Sequence, residues 1–367
     1  MYLQQLTLNQ FKNYAQTQFR FNPQLNCLVG LNGAGKTNVL DAIYYLAFTK
    51  SYFNPVDQQH ILNGEMFFTV EALLVKNEIT ENIRVVFQKG SKKTLLVNNN
   101  EVARFADYIG TLPLVMIVPG DINLIYEGSE ERRKFIDMII SQADRIYLNE
   151  LILYNKALDQ RNKLLKDFYE HRYINRDLLD TYTMQLSKSG MYIYQKRLHF
   201  IEQFTPVFIA YYQMIAGSNE PVALAYESDV QKLAYPQLLH SSEQTDFELM
   251  RTSRGIHRDD LSFMINEMGL KKFGSQGQQK SFIIALKLAQ FDYLMEAKNV
   301  KPLLLIDDIF EKLDSERLNK LLALIAKGHF GQIFITDTQA ERLHDVIAKL
   351  DTPVSYFEIK EGMLVSD

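Results

Sequence analysis

Gly30-Leu-Asn-Gly-Ala-Gly-Lys-Thr37 decides how this chain is read. It has the spacing of a phosphate-binding loop: glycine, four residues, then Gly-Lys-Thr. Such a loop closes backbone N–H groups around phosphate oxygens, so bulky side chains would obstruct it. Gly33 and Gly35 can take positive φ and keep the approach open. Lys36 can reach β- and γ-phosphates, and the Thr37 hydroxyl can ligate Mg²⁺. The flanks agree with this. Residues 25–29 read as a short buried strand. Residues 38–48 read as a helix with Val39, Leu40, Ile43, Leu46 and Ala47 apolar. That helix would turn the positive end of its dipole toward the phosphates. A glycine-rich turn with no ligand is the bland alternative, and the strand before and helix after disfavour it. Gly30, Leu31, Asn32, Gly33, Ala34, Gly35, Lys36, Thr37 and Asn38 are therefore the expected nucleotide-binding residues.

The bulk properties narrow the class. The 367 residues suffice for two domains, or for one large domain with an insertion. No stretch of eighteen unbroken apolar residues suggests a membrane span, and the first residues do not read as a signal peptide. The one cysteine, Cys27, lies in the strand feeding the loop and reads as a small buried thiol. The seven histidines have no metal-type partners at useful spacing. With a net charge of −4, any nucleic-acid contact must come from a local basic patch.

Residues 1–118 read as the β-rich half of an α/β domain. Strands are expected near Leu3–Leu6–Leu8, near Phe19–Phe21, and over 67–75, 83–87, 94–97 and 112–118, with a hairpin turning at Asn98-Asn99-Asn100. Residues 119–250 read as a mainly helical insertion, because Ile136, Ile139 and Ile140, then Leu148, Leu151 and Ile152, recur at helical spacing. Short strands are expected at 222–226 and 247–250. Arg132, Arg133 and Lys134 form the densest basic cluster and are the candidates for DNA phosphates. A solvated helix face paired with acids is the alternative. Residues 251–367 return to α/β, with an alternating strand at 261–265 and a strongly apolar helix at 282–297. A fully apolar strand follows at 303–306, then a helix at 315–327 and a final buried strand at 333–336.

Two further stretches carry chemistry. Asp307 and Asp308 close an apolar strand, where α/β proteins place ligands. Asp307 can join Thr37 in holding Mg²⁺, and Asp308 can orient and deprotonate a water. Ser275-Gln276-Gly277-Gln278 precedes a long helix. Alone it is a polar turn; beside a phosphate loop it is a second anion-directed element. Lys36 already serves the nucleotide in cis, so this element suggests closure on the nucleotide of another subunit.

Loop, signature and double-acid strand in this order resemble the ATP-binding-cassette ATPases. Other stretches are similar to the RecF family of DNA-repair ATPases, in the SMC and RecF class. They are Asn9-Gln-Phe-Lys-Asn-Tyr14, Asp41-Ala-Ile-Tyr-Tyr-Leu-Ala47, Pro119-Gly-Asp121, Gly128 with Arg132-Arg133, Gly255-Ile-His-Arg-Asp-Asp260, Leu305-Ile-Asp-Asp-Ile-Phe310 and Leu313-Asp314. The chain departs from that family's pattern at Phe53, Ile256 and Lys312, and Thr336-Asp337-Thr338 lacks the histidine of transporter ATPases. The resemblance implies an ATPase head completed by residues 1–118 and 251–367, with residues 119–250 as a lid. It implies ATP and Mg²⁺ as cofactors and an ATP-dependent homodimer that supplies Ser275, Gln276, Gly277 and Gln278 in trans. It further implies double-stranded DNA and single-strand/double-strand junctions as targets, and RecR, with RecO and RecA, as partners. Hydrolysis would be weak and DNA-stimulated, and the protein would be cytoplasmic and nucleoid-associated. A transporter subunit, a small-molecule kinase and a structural chromosome clamp are the competing classes. The first usually has a histidine after the last strand, the second has no use for residues 275–278, and the third needs long heptad arms.

Overall fold

Alternating burial builds the first sheet. β1 (Tyr2–Phe11) pairs antiparallel with β2 (Tyr14–Arg20), setting Leu6 opposite Phe19. Leu3, Leu6, Leu8 and Phe11 are all fully buried, although the steps from Leu3 to Leu6 and from Leu8 to Phe11 break the two-residue period. A register shift between Leu3 and Gln5 against the neighbouring strand restores the face. β3 (Leu25–Val29) is buried at every position and belongs to a different sheet. β4 (Phe67–Lys76), β5 (Ile79–Gln88), β6 (Thr94–Val97) and β7 (Asn100–Glu101) complete the antiparallel order β2-β1-β4-β5-β6-β7.

The computed structural model describes residues 1–171, 175–217, 220–309, 315–326, 328–347 and 352–366; Phe310, Lys312, Leu313, Asp314 and Lys327 lie outside them. The chain forms two compact units. One comprises Met1–Asp121, Met214–Gly217 and Lys280–Asp367, and the other Ile122–Gln213 and Ser218–Gln279. The expected boundary at residue 250 is thus corrected. Residues 251–279 pack with the helical unit, because Asp260–Ile265 pairs with a strand of that unit along its whole length.

β8 (Leu114–Ile117) lies in the first unit. In the helical unit, β9 (Val222–Glu227), β10 (Asp260–Ile265) and β11 (Met268–Gly269) form a small antiparallel sheet in the order β11-β10-β9. The expected strand at 247–250 is instead the end of a helix, Glu243–Leu249, closed by Met250 in the left-handed region. Buried Asp246 anchors that helix by accepting from Arg161 at 2.7 Å, while Phe247 packs on Phe168. Side-chain anchoring at those two positions overrides a short apolar pattern.

The second sheet holds β12 (Leu303–Ile306), β13 (Ile333–Asp337), β14 (Val354–Lys360) and β15 (Met363–Ser366), in the order β15-β14-β3-β13-β12-β8. From β14 to β8 it is parallel. β14 and β15 lie beyond the strand expected to be last. β14 sits near the sheet edge with only Phe357 and Ile359 buried, so its sequence lacks the continuous apolar run of β12.

Inside the helical unit one set of buried polar groups forms a continuous chain. The Ile256 N–H donates to the Tyr235 hydroxyl at 3.0 Å, and Tyr235 and Tyr154 share a hydrogen bond of 2.8 Å. Tyr154 meets His257 Nδ1 at 2.8 Å, and His257 Nε2 meets the Thr252 carbonyl at 3.0 Å. A Cβ at Gly255 (φ 122°) would strike the Tyr235 hydroxyl, which accounts for the glycine. Burial pushes the His257 imidazole down from 6.5 to about 4, so at neutral pH it is uncharged: Nε2–H donates to Thr252 and Nδ1 accepts from Tyr154. Because the folded value lies below the unfolded one, this stability is complete above 6.5 and is lost as pH falls toward 4. Urea unfolding across that range should show His257→Gln losing about 3 kcal/mol less than the natural protein. Parallel pH profiles would assign the acid lability to carboxylates instead.

Candidate nucleotide site

The loop of residues 30–37 is held from three sides. The helix Lys36–Phe48 begins directly after Gly35, whose φ is 122°; Gly33 has φ 80°. A Cβ at Gly35 would come within 2.8 Å of both the Asn13 amide and the Tyr14 hydroxyl, so only glycine fits there. Those two side chains grip the loop: Asn13 Nδ2 donates to the Ala34 carbonyl at 3.0 Å, and Tyr14 donates to the Gly35 carbonyl at 3.1 Å. Asn38 Nδ2 donates back to Asn13 Oδ1 at 2.7 Å. From the C-terminal hairpin, Gly362 N–H donates to Ala34 O at 2.9 Å. Lys36 is buried, and its ammonium donates to the carbonyls of Gly30 and Leu31 at 2.9 and 3.1 Å.

The double acid meets this loop. Asp307 and Asp308 follow β12, and Thr37 Oγ1 lies 2.9 and 3.1 Å from the two oxygens of the Asp307 carboxylate. Burial raises the Asp307 carboxyl above its ordinary value, opposed by hydrogen bonds from Thr336 and Thr37. A hydroxyl and a carboxylate side by side are hard oxygen donors of the kind that suits Mg²⁺. Asp308 lines an open pocket of about 200 Å³ together with Asn32, Gly33, Gly35, Lys36, Thr37 and Asn38. The fold therefore brings together residues about 270 positions apart that the sequence had paired by chemistry alone.

Asn13, Tyr14, Thr336 and Gly362 were not singled out by chemical reasoning. For the first two a signal existed, since they end the stretch Asn9-Gln-Phe-Lys-Asn-Tyr14. Lys12 in the same stretch pairs with fully buried Asp41 at 2.6 Å, and its ammonium lies 5.6 Å from the centre of the Phe53 ring.

Residues 275–278 belong to the helical unit and open the helix Gln276–Lys298. Ser275 and Gln278 form a reciprocal cap. The Ser275 N–H donates to Gln278 Oε1 at 2.7 Å, and the Gln278 N–H donates to Ser275 Oγ at 3.3 Å. Gln278 also donates to Glu220 at 3.0 Å. Ser275 and Gln276 are exposed. The capping box explains the serine and the second glutamine locally, and it leaves the helix N-terminus facing solvent.

The basic cluster has partners within the fold. Arg132 makes a two-pronged pair with Asp260 at 2.7 and 3.0 Å and donates to the Leu124 and Glu127 carbonyls. Arg133 donates to the Asp259 carbonyl at 2.6 Å. Lys134 lies on the surface between Glu130 and Glu131, 2.8 Å from each. The first two guanidinium groups brace the segment 255–260, and the third cation is a solvated helix pair. Among the described residues, His240 does approach Asp180 and Glu243 within 4.8 Å, which its spacing did not suggest, but Arg176 already pairs with Glu243 at 2.8 Å. Also among them, no helix is long and apolar enough to cross a membrane.

A phosphate loop and a double acid on one largely parallel sheet, with a separate antiparallel sheet in the same unit, define an ATPase head of the ATP-binding-cassette type. Residues 2–362 match the RecF/RecN/SMC N terminal domain family. The chain is 48% identical over 359 residues to the DNA replication and repair protein RecF of Flavobacterium johnsoniae, covering 98% of this chain and 100% of that protein. It is 41% identical over 365 residues to the protein of the same name from Bacteroides thetaiotaomicron, covering 99% and 98%. A solved structure of the recombination mediator protein RecF-ATPrS in the RecFOR pathway is similar with a TM-score of 0.88 at 29% identity, over 99% of this chain and 97% of that one. The Smc head domain of Pyrococcus furiosus shares the fold at a TM-score of 0.58 and 17% identity, over 99% and 95%. The chain belongs to the RecF family.

Bracing by Arg132 has a measurable consequence. Arg132→Ala should lower stability by about 1.5–3 kcal/mol, the range for a hydrogen bond to a charged group. It should leave the salt dependence of duplex DNA affinity unchanged, whereas losing a phosphate contact would remove about 0.9 from the log–log slope. Thermal melts and filter binding at several salt concentrations separate the two outcomes.

Proposed function

We propose that this chain is an ATP-dependent DNA replication and repair protein whose nucleotide site is half of a two-protomer enclosure. The observation that carries the reading is the Thr37–Asp307 contact beside the loop of residues 30–38. The loop N–H groups and Lys36 would hold the phosphates. Thr37 and Asp307 would hold Mg²⁺, which when bound neutralises charge on the β- and γ-phosphate oxygens. Asp308 would orient the attacking water and take its proton. The pocket is open to solvent on one side, which leaves room for completion by a second copy. Ser275, Gln276, Gly277 and Gln278 of that copy would close on the γ-phosphate, using the exposed helix N-terminus.

Kinship to RecF proteins over the whole chain supports DNA as the target of the closed homodimer: double-stranded DNA near single-strand/double-strand junctions. With RecR and RecO as partners it would promote RecA loading. Slow hydrolysis would release the DNA, and the protein would act in the cytoplasm at the nucleoid. Sedimentation and duplex binding with and without ATP and Mg²⁺ test the core of the reading: dimer and tight DNA binding should appear together, and only with both.

Asp308→Asn should bind ATP normally and hydrolyse it roughly 10²- to 10⁴-fold more slowly, the usual worth of a positioned base, while holding DNA longer. Unchanged turnover would move the base elsewhere. Ser275→Arg should bind ATP with near-natural affinity, because residues 30–38 are untouched, yet fail to dimerise, hydrolyse ATP or bind DNA tightly. Loss of the helix cap costs about 0.5–2 kcal/mol, so a thermal melt must show the variant folded. Mixing it with Lys36→Arg protein should restore partial activity, since each mixed dimer keeps one intact composite site.

A further inference from the structure

Thr336 lies on β13 directly beside the double acid. Ile335 pairs with Ile306 in the parallel ladder, so Thr336 and Asp307 stand together one residue further on. Thr336 is fully buried. Its neighbours Ile333, Phe334 and Ile335 show what packing alone asks of this strand, and valine would serve packing at 336 equally well. A hydroxyl at such a position is costly unless it is bonded, and this one is bonded on both sides. A hydroxyl has one proton to give and two lone pairs. Thr336 Oγ1 donates to Asp307 Oδ1 at 2.8 Å and accepts from the Asp308 N–H at 2.9 Å; Asp308 Oδ1 is a more distant second acceptor at 3.4 Å. One oxygen thus holds the side chain of the first acid and the backbone of the second.

The backbone it holds makes a sharp turn. Asp308 has φ 43°, in the left-handed region, which aspartate enters more readily than most residues with a Cβ. Such conformations persist only where surrounding structure over-determines them. The hydrogen bond from the Asp308 N–H is a direct restraint on that turn, and the turn sets where the Asp308 carboxylate leaves the strand to line the loop pocket.

We propose that Thr336 is a positioning residue for both acids. Its hydroxyl locks the Asp307 carboxylate beside Thr37 and the Asp308 carboxylate over the pocket as a single arrangement, so metal binding and water activation depend on one side chain. The inference rests on the roles given above to Asp307 and Asp308.

The test uses the full chain with ATP and Mn²⁺, reading bound Mn²⁺ by electron paramagnetic resonance and turnover separately. Thr336→Val keeps the shape and removes the hydroxyl; Thr336→Ser keeps the hydroxyl. Valine should weaken Mn²⁺ binding and lower kcat by about 10- to 100-fold, the usual effect of removing a partner of a metal ligand. ATP affinity without metal should stay unchanged, and serine should restore both quantities. Valine behaving like the natural residue, or valine and serine impaired alike, would overturn the proposal. If valine prevents folding, Thr336→Ala compared with Thr336→Ser reads the same difference. Asp307→Asn separates the levels. If it leaves Mn²⁺ affinity untouched, the roles of the acids are wrong and this inference falls with them. If it weakens Mn²⁺ while Thr336→Val does not, only the inference fails.

Discussion

A hydrogen bond of 2.9 Å joins Thr37 to Asp307 across 270 positions of sequence, and the first unit is built so that it can form. It requires β3, β13 and β12 to lie side by side and parallel, with the loop and the acids leaving the sheet at the same end. Parallel strands of this kind are buried on both faces, so their cohesion comes from unbroken apolar runs. Leu303–Ile306 and Ile333–Asp337 are buried at every position. Gln332, just before β13, makes a clasp: it exchanges hydrogen bonds with both backbone groups of Leu3, at 2.7 and 2.8 Å, and donates to the Asn22 carbonyl at 2.8 Å. That clasp ties the antiparallel sheet to the end of β13 opposite the acids.

The helical unit is organised by a different force. Its buried charges come in compensated sets. Arg197 pairs with Asp137 at 2.9 Å and Asp259 at 3.1 Å and also donates to the Ile256 carbonyl, while Arg161 pairs with Asp246. Buried ions of this kind add little net stability over apolar residues, but removing one partner is expensive. They therefore fix which helix meets which segment more than they raise stability. Arg132 and Arg133 belong to the same system, both directed at residues 259 and 260.

The strength of each sequence signal explains what was readable. The phosphate loop and the double acid were legible because chemistry constrains them at every position and the flanking strand and helix leave periodic patterns. β12 and β13 were legible because a central parallel strand must be apolar throughout. β14 and β15 were not, since strands at or next to the sheet edge need only partial burial, and Val354-Ser-Tyr-Phe-Glu-Ile-Lys360 has no continuous apolar run. The basic cluster is ambiguous for the same reason in reverse. Arg132 looks identical in sequence whether it faces phosphate or Asp260, because its partner lies 128 residues away. Ser275 and Gln278 hold two meanings at once, a local cap and a candidate ligand, and only the first is visible within four residues. Thr336 carried no signal at all, since threonine is common in strands and its value depends on what lies one strand over.

The C-terminal hairpin gives the chain a timetable. β14 pairs with β3 along its length, from Val354 beside Leu25 to Glu358 beside Val29, and Gly362 closes the phosphate loop through Ala34. The loop leaves the ribosome well before Val354 and Gly362, its last neighbours. At roughly 5–20 residues per second of synthesis, on the order of 15–65 seconds separate the two. During that interval β3 has neither of its flanking strands, and its apolar edge is exposed to other chains. A nascent chain therefore holds the whole phosphate-loop sequence before the strands that flank β3 exist.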